Sequence, residues 1–161
     1  MAKQKVKKTN AVRALEQKKI DHTIYEYDSS DGQIDGISVA NKIGKEPERV
    51  FKTLVAHGNS KEIYVFIIPV EAELDLKKAA KVASEKKIEL IAVKDIIKLT
   101  GYIRGGCSPI GMKKSYKTFL DEHASQFERI IFSGGKIGMQ IEANPQELLN
   151  VINGQYGEIA K

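Results

Sequence analysis

Apolar residues along the chain recur at two different spacings, and the changes between them mark out the elements. Val12 and Leu15 stand three apart behind Thr9 and Asn10, either of which can cap a helix. His22 to Tyr27 reads as a first strand, and Asp28-Ser29-Ser30-Asp31-Gly32 as the loop after it. A short helix is expected from about Ser38 to Gly44, a glycine suited to the left-handed position past a helix end. Phe51 to Ala56 and Ile63 to Ile68 are strand-like runs joined by the Gly-containing loop His57 to Glu62, the pattern of a hairpin. Leu76, Ala79, Ala80 and Ala83 repeat at helical spacing through Asp75 to Ala83. Glu89 to Ala92 then reads as a brief strand, and Val93 to Thr100 as a helix stopped by Gly101.

Further on, Thr118 to Leu120 and Arg129 to Phe132 are strand candidates around a short polar helix, and Ile137 to Glu142 is another. Asn144-Pro145-Gln146-Glu147 opens the last helix with a capping side chain, a proline in the first turn and a glutamate three residues after the cap. Strands and short helices alternate without the spacing of a doubly wound fold. The expected class is mixed α/β, with a curved, barrel-like mixed sheet surrounded by short helices.

Length and composition narrow the setting. A chain of 161 residues with 42% apolar and 29% charged content is expected to form one domain over residues 9 to 161, behind a basic arm of four lysines in residues 1 to 8. The longest apolar run, Ile63 to Val70, has eight residues and contains Pro69, too short to cross a bilayer, and no signal-peptide pattern opens the chain. The expected location is the cytoplasm. One cysteine excludes an internal disulfide framework, and three scattered histidines give no metal-ligand spacing, so neither metal nor cofactor is expected. The net charge of +5 leans toward a polyanionic partner.

Candidate chemistry begins with Lys52, a cation inside the otherwise apolar stretch Val50 to Val55. Such a lysine must face water at an edge or enter a cavity that binds something. Two glycine-rich segments, Gly101 to Gly111 and Ser133 to Gly138, could let backbone approach the same ligand. Ser133-Gly134-Gly135-Lys136 lacks the spacing and the following helix of a phosphate loop. Ser108-Pro109 stiffens the first loop and aims the amides of Gly105 and Gly106, which suits stabilisation of an acyl-transfer oxyanion. Cys107 is a candidate nucleophile among nearby cations. Lys77, Lys78 and Lys81, with Lys113, Lys114 and Lys117, could form a phosphate-binding stripe or simply a solvated face.

Four segments in register carry a resemblance: Val50-Phe51-Lys52-Thr53-Leu54, Leu74 to Lys81, Thr100-Gly101-Tyr102 with Gly105-Gly106, Ser108-Pro109 and Gly111, and Ser133 to Lys136 with Gly138. Together they resemble the YbaK/EbsC family of aminoacyl-tRNA deacylases, freestanding relatives of the editing domain of bacterial prolyl-tRNA synthetases. The resemblance implies removal of Cys from mischarged tRNA(Pro), with the substrate's own thiol attacking the ester. It implies Lys52 as the essential lysine and Gly105 as the glycine whose amide faces the substrate carbonyl. Tyr27 matches a pocket-lining tyrosine and Ser133 the serine of the second loop, while Gly106, Ser108 and Gly134 complete the expected substrate-binding set. Lys77, Lys78, Lys81, Lys113 and Lys114 become the expected tRNA contacts, and prolyl-tRNA synthetase a candidate partner. One departure is that an aromatic residue which family members can carry is replaced near Asp35. Cys107 matches a position that can be aliphatic, which argues against a nucleophile there. An Ala-tRNA(Pro) deacylase and a noncatalytic tRNA-binding or regulatory module are the alternatives.

Overall fold

The computed structural model describes residues 8 to 161. Apart from Lys8, the basic arm expected over residues 1 to 8 lies outside the described residues. A five-stranded sheet organises the molecule, in the order β4(Ile88–Leu90), β2(Phe51–Gly58), β3(Ile63–Pro69), β5(Lys117–Asp121), β8(Gln155–Gly157). A three-stranded antiparallel sheet, β1(His22–Glu26), β7(Met139–Ala143), β6(Ile130–Ser133), joins it through a single parallel bridge from Val50 to Ile131. The mixed α/β class is as expected. The curved sheet is split into these two parts, and the strands do not close into a barrel among the described residues.

The apolar run of β3 is explained by its central place. Val65 and Ile67 turn to one side with Phe51, Leu120, Ile130, Phe132, Met139 and Ile141, together with Ala11, Val12 and Leu15 of α1(Asn10–Gln17) and Leu148 and Leu149 of α5(Pro145–Ile152). Tyr64, Phe66 and Ile68 turn to the other, onto Ala79, Ala80 and Ala83 of α3(Leu76–Ala83). A strand covered on both faces has no polar side to alternate with. Pro69, without an N–H, causes no loss because β5 pairs with β3 only from Tyr64 to Ile67.

Two helix starts follow the expected caps: the Thr9 hydroxyl accepts from Val12 N, and the Asn144 side chain from Glu147 N. Asp75, expected as the first residue of its helix, instead caps it and accepts from the amides of Lys77 and Lys78. The second helix, α2(Gly36–Lys42), begins two residues before the expected Ser38, because Asp35 rather than a later residue is its cap. The helix α4(Val93–Thr100) ends at Gly101, whose φ of +85° is the left-handed conformation that glycine adopts without strain. The second glycine segment holds its turn longer than expected, so β7 begins at Met139 rather than Ile137.

Candidate active site

The hairpin partner β3 covers one edge of β2, and β4 covers the other only from Ala56 to Gly58. Between the Val50–Ile131 bridge and the start of β4, the outer edge of β2 has no strand partner from Lys52 to Leu54. Side chains alternate across this open stretch: Lys52 lies on the α3 side with Leu54, and Thr53 on the opposite side with Phe51. A cavity of about 380 Å³ wraps this edge. Its lining includes Lys52 and Thr53, Ile34 from the segment before α2, Ile37 from the start of α2, Gly105 and Cys107 from the first glycine loop, and Ser133 from the end of β6.

Lys52 is half-buried and forms no ion pair among the described residues. Burial holds its pKa below the ordinary lysine value, partly offset by the more distant carboxylate of Glu73. An uncompensated cation in a cavity is an anion-binding group by its electrostatics. Gly105 sits with φ +86°, and its N–H donates to no backbone carbonyl among the described residues. The Gly106 amide, by contrast, donates to Ile103 O at 3.0 Å and holds the turn. A side chain on Gly106 would collide with the backbone of Lys136 and Ile137 at 2.9 Å, so this glycine lets the two glycine segments touch.

The other expected substrate-binding residues divide. Ser133 lines the cavity, and its hydroxyl accepts from Gly135 N at 3.3 Å. Gly134 is buried, pairs with Met139 O at 2.9 Å and lies outside the lining. Ser108 is fully buried, with its hydroxyl accepting from Ile110 N at 3.3 Å, and it too is outside the lining. Its work is local, fixing the turn at Pro109. Tyr27 is outside the lining as well. Its N–H donates to Gly138 O at 3.0 Å, and its hydroxyl is buried without a partner.

Cys107 lines the cavity but is 8% exposed, and burial pushes its thiol pKa up to about 11 despite the Thr100 hydroxyl 3.9 Å away. At neutral pH the group is a thiol, not a thiolate, which removes the basis of the nucleophile reading. The six lysines do not form one stripe. Lys77, Lys78 and Lys81 ride on α3, whereas Lys114 borders a second cavity against α1 and α5, on the opposite side of the five-stranded sheet. Lys78 is engaged by Glu158 at 3.0 Å, Lys113 donates to Lys98 O at 3.4 Å, and none of the six lines the main cavity.

Sequence reasoning missed Thr53 and Arg104. Thr53 has a buried hydroxyl with no partner, and Arg104 lines the cavity beside Gly105. The alternation that puts Lys52 on one side of β2 was a signal for Thr53 on the other. Asp35, at the wall where an aromatic residue was expected, caps α2. Its carboxyl is held below the usual range by hydrogen bonds from the Ser38 side chain and amide, and the apolar surface comes from Ile34 and Ile37. No cluster of three or more His, Cys, Asp or Glu is placed to hold a metal among the described residues.

The cavity on this pair of sheets thus holds a half-buried lysine without an ion-pair partner and a backbone amide without a carbonyl partner, among the described residues. The model of the aminoacyl-tRNA editing domain matches residues 35–151, and the chain belongs to that family. A relative from Enterococcus faecalis is 51% identical over 99% of this chain and 98% of its own length, and its name is that of a candidate Cys-tRNA(Pro)/Cys-tRNA(Cys) deacylase, EbsC. An uncharacterised protein of Bacillus subtilis, YwhH, is 23% identical over 80% of each chain. Among solved structures, a candidate trans-editing enzyme for prolyl-tRNA synthetase superposes with a TM-score of 0.82 at 24% identity, covering 97% of this chain and 99% of that one.

Proposed function

We propose that this chain is a trans-editing deacylase that hydrolyses the ester of Cys-tRNA(Pro). The observation that carries the reading is the meeting, in one cavity, of the unpaired Lys52 ammonium and the unpaired Gly105 amide. An aminoacyl-tRNA end presents a phosphodiester and an ester carbonyl close together, and these two groups answer each. Lys52 holds the terminal phosphate or the ester region as a charged clamp. Gly105 N–H donates to the carbonyl oxygen as it gains negative charge. Ser133 borders the same space.

No side chain in the cavity is needed as a nucleophile. The substrate thiol adds to its own ester carbonyl, an S–C bond forms, the C–O bond to the terminal ribose breaks, and the thiol proton passes to the departing ribose oxygen. Water then opens the cyclic thioester to free cysteine. The cavity contributes position and charge stabilisation. Such an enzyme is useful because a synthetase pocket that admits proline rejects a smaller side chain by only about 1–3 kcal/mol per methylene.

In this reading residues 9 to 161 act as one editing domain in the cytoplasm, prolyl-tRNA synthetase supplies the mischarged substrate and is a docking partner, and Lys77 and Lys81, on the same side of the sheet as Lys52, meet tRNA phosphates outside the cavity. Their contribution is tested by charge reversal, which weakens tRNA binding and flattens its salt dependence without changing which amino acid is removed. The function itself is tested by incubating the protein with Cys-tRNA(Pro), Ala-tRNA(Pro) and Cys-tRNA(Cys). Rapid loss of Cys from tRNA(Pro) is expected. Preference for Ala-tRNA(Pro) gives the alternative deacylase, and no turnover of any of the three gives the noncatalytic module.

A further inference from the structure

The segment 28–35 between β1 and α2 has no regular structure, yet it carries Ile34 into the cavity wall. Its internal hydrogen bonds are all local. Asp28 Oδ1 accepts from Ser30 N at 2.9 Å, Asp31 Oδ1 from Gln33 N at 3.0 Å, and Gly32 O from Ile34 N at 3.1 Å. Bonds that join neighbours within a loop shape it without fixing it to the body of the protein. Lys42, the last residue of α2, supplies that tie. Its ammonium donates to Asp28 O at 2.6 Å, to Asp31 Oδ1 at 2.7 Å and to Gln33 O at 3.0 Å, which uses all three of its protons. It also lies 5.9 Å from the centre of the Tyr27 ring. The Lys42 side chain is 21% exposed, so these bonds are shielded better than those of a fully solvated lysine.

We propose that Lys42 is a positioning residue for substrate selection: by binding three oxygens of the 28–35 segment, it fixes Ile34 over Gly105 and so sets how long a side chain the cavity accepts. The effect reaches the reaction through Ile34, whose Cδ1 stands 3.0 Å from the place of a Cβ on Gly105. Release of the segment lets Ile34 retreat, and a longer side chain then fits beside the reacting carbonyl.

The proposal rests on the deacylase reading, and its test separates the two. The variant is Lys42→Met, which keeps the stem and removes the three donors. Turnover is compared for cysteine and homocysteine esters on the same tRNA(Pro), two thiol-bearing side chains one methylene apart. Intrinsic reactivity cancels when the preference ratio of the variant is divided by that of the wild type. The ratio is expected to move toward homocysteine by about tenfold or more, the scale on which an apolar pocket distinguishes a methylene. KM for the cysteine ester rises with kcat little changed, and Lys42→Arg restores most of the preference. Asp31→Asn, which weakens one of the three ties from the loop side, moves the ratio in the same direction by less.

Amide hydrogen exchange on the free protein reads the same tie without substrate. Lys42→Met is expected to speed exchange at Ser30, Gly32, Gln33 and Ile34 while leaving β3 protected. An unchanged preference ratio, or unchanged exchange in the segment, overturns the proposal, as does faster exchange that spreads through β3. A wild-type protein inactive on both esters refutes the deacylase reading, and the exchange measurement then decides the role of Lys42 alone.

Discussion

Ile34 and Gly105 meet across the cavity at 3.0 Å, measured from the Ile34 Cδ1 to the position a side-chain carbon on Gly105 would take. The contact joins a loop that lines the cavity to a backbone amide with no carbonyl partner among the described residues. It also makes Gly105 doubly constrained, by the neighbouring side chain and by its own φ of +86°.

Gly105→Ala is therefore expected to cost about 1–2 kcal/mol of stability from backbone strain. The catalytic loss is larger, because the amide is displaced from the carbonyl it serves. Removing one such donor lowers kcat by about 10²–10³-fold. Thermal unfolding and single-turnover rates measure the two effects separately, and wild-type turnover by Gly105→Ala would refute the oxyanion role.

Lys52→Ala is expected to abolish deacylation while the protein remains folded, since the side chain enters the cavity and leaves its ammonium unpaired. Lys52→Arg does not fully restore activity, because a planar fork cannot replace a compact ammonium in a confined site. The check is the rate on Cys-tRNA(Pro) beside a circular dichroism spectrum. Near-normal turnover by a folded Lys52→Ala protein contradicts the assignment.

Thr53→Val removes a buried hydroxyl that has no partner within the protein. Stability is expected to stay level or rise, since an unsatisfied polar group is lost. Substrate binding is expected to stay level, because the hydroxyl has no surface through which a ligand reaches it. A clearly raised KM in this variant would show that the hydroxyl meets the substrate.

Burial that raises the Cys107 thiol to about 11 keeps it almost wholly protonated at neutral pH. Alkylation by iodoacetamide is expected to be slow in the folded protein at neutral pH and fast after unfolding, and Cys107→Ser retains most of the activity. A fast reaction of the native thiol, or a folded but inactive Cys107→Ser protein, contradicts this.

The local code was legible where a single element explains a pattern. The caps at Thr9 and Asn144, the β2–β3 hairpin and the stop at Gly101 all follow from neighbours in sequence. Parallel pairing of β5 with β3 and of β8 with β5 was not legible, because partners far apart in the chain leave no local signature. The same limit applies to the site. Lys52 stood out as a charge in an apolar run, but the isolation of Thr53 Oγ1, the burial of Ser108 and the separation of the Lys77 and Lys114 groups depend on which surfaces the sheets bring together. Lys42 gave no signal at all, since its three acceptors include two backbone carbonyls.

The most direct test of the account compares Cys-tRNA(Pro) with Ser-tRNA(Pro) at equal concentration, with the wild-type protein and with Lys52→Ala. The two side chains differ by one atom, sulfur for oxygen, and a pocket that merely senses contact separates near-isosteres by only about a hundredfold. If the cavity positions an ester that its own thiol attacks, the wild type clears the cysteine ester rapidly and leaves the serine ester almost untouched, while Lys52→Ala clears neither. Comparable rates on the two esters, or rapid cleavage by Lys52→Ala, would contradict it.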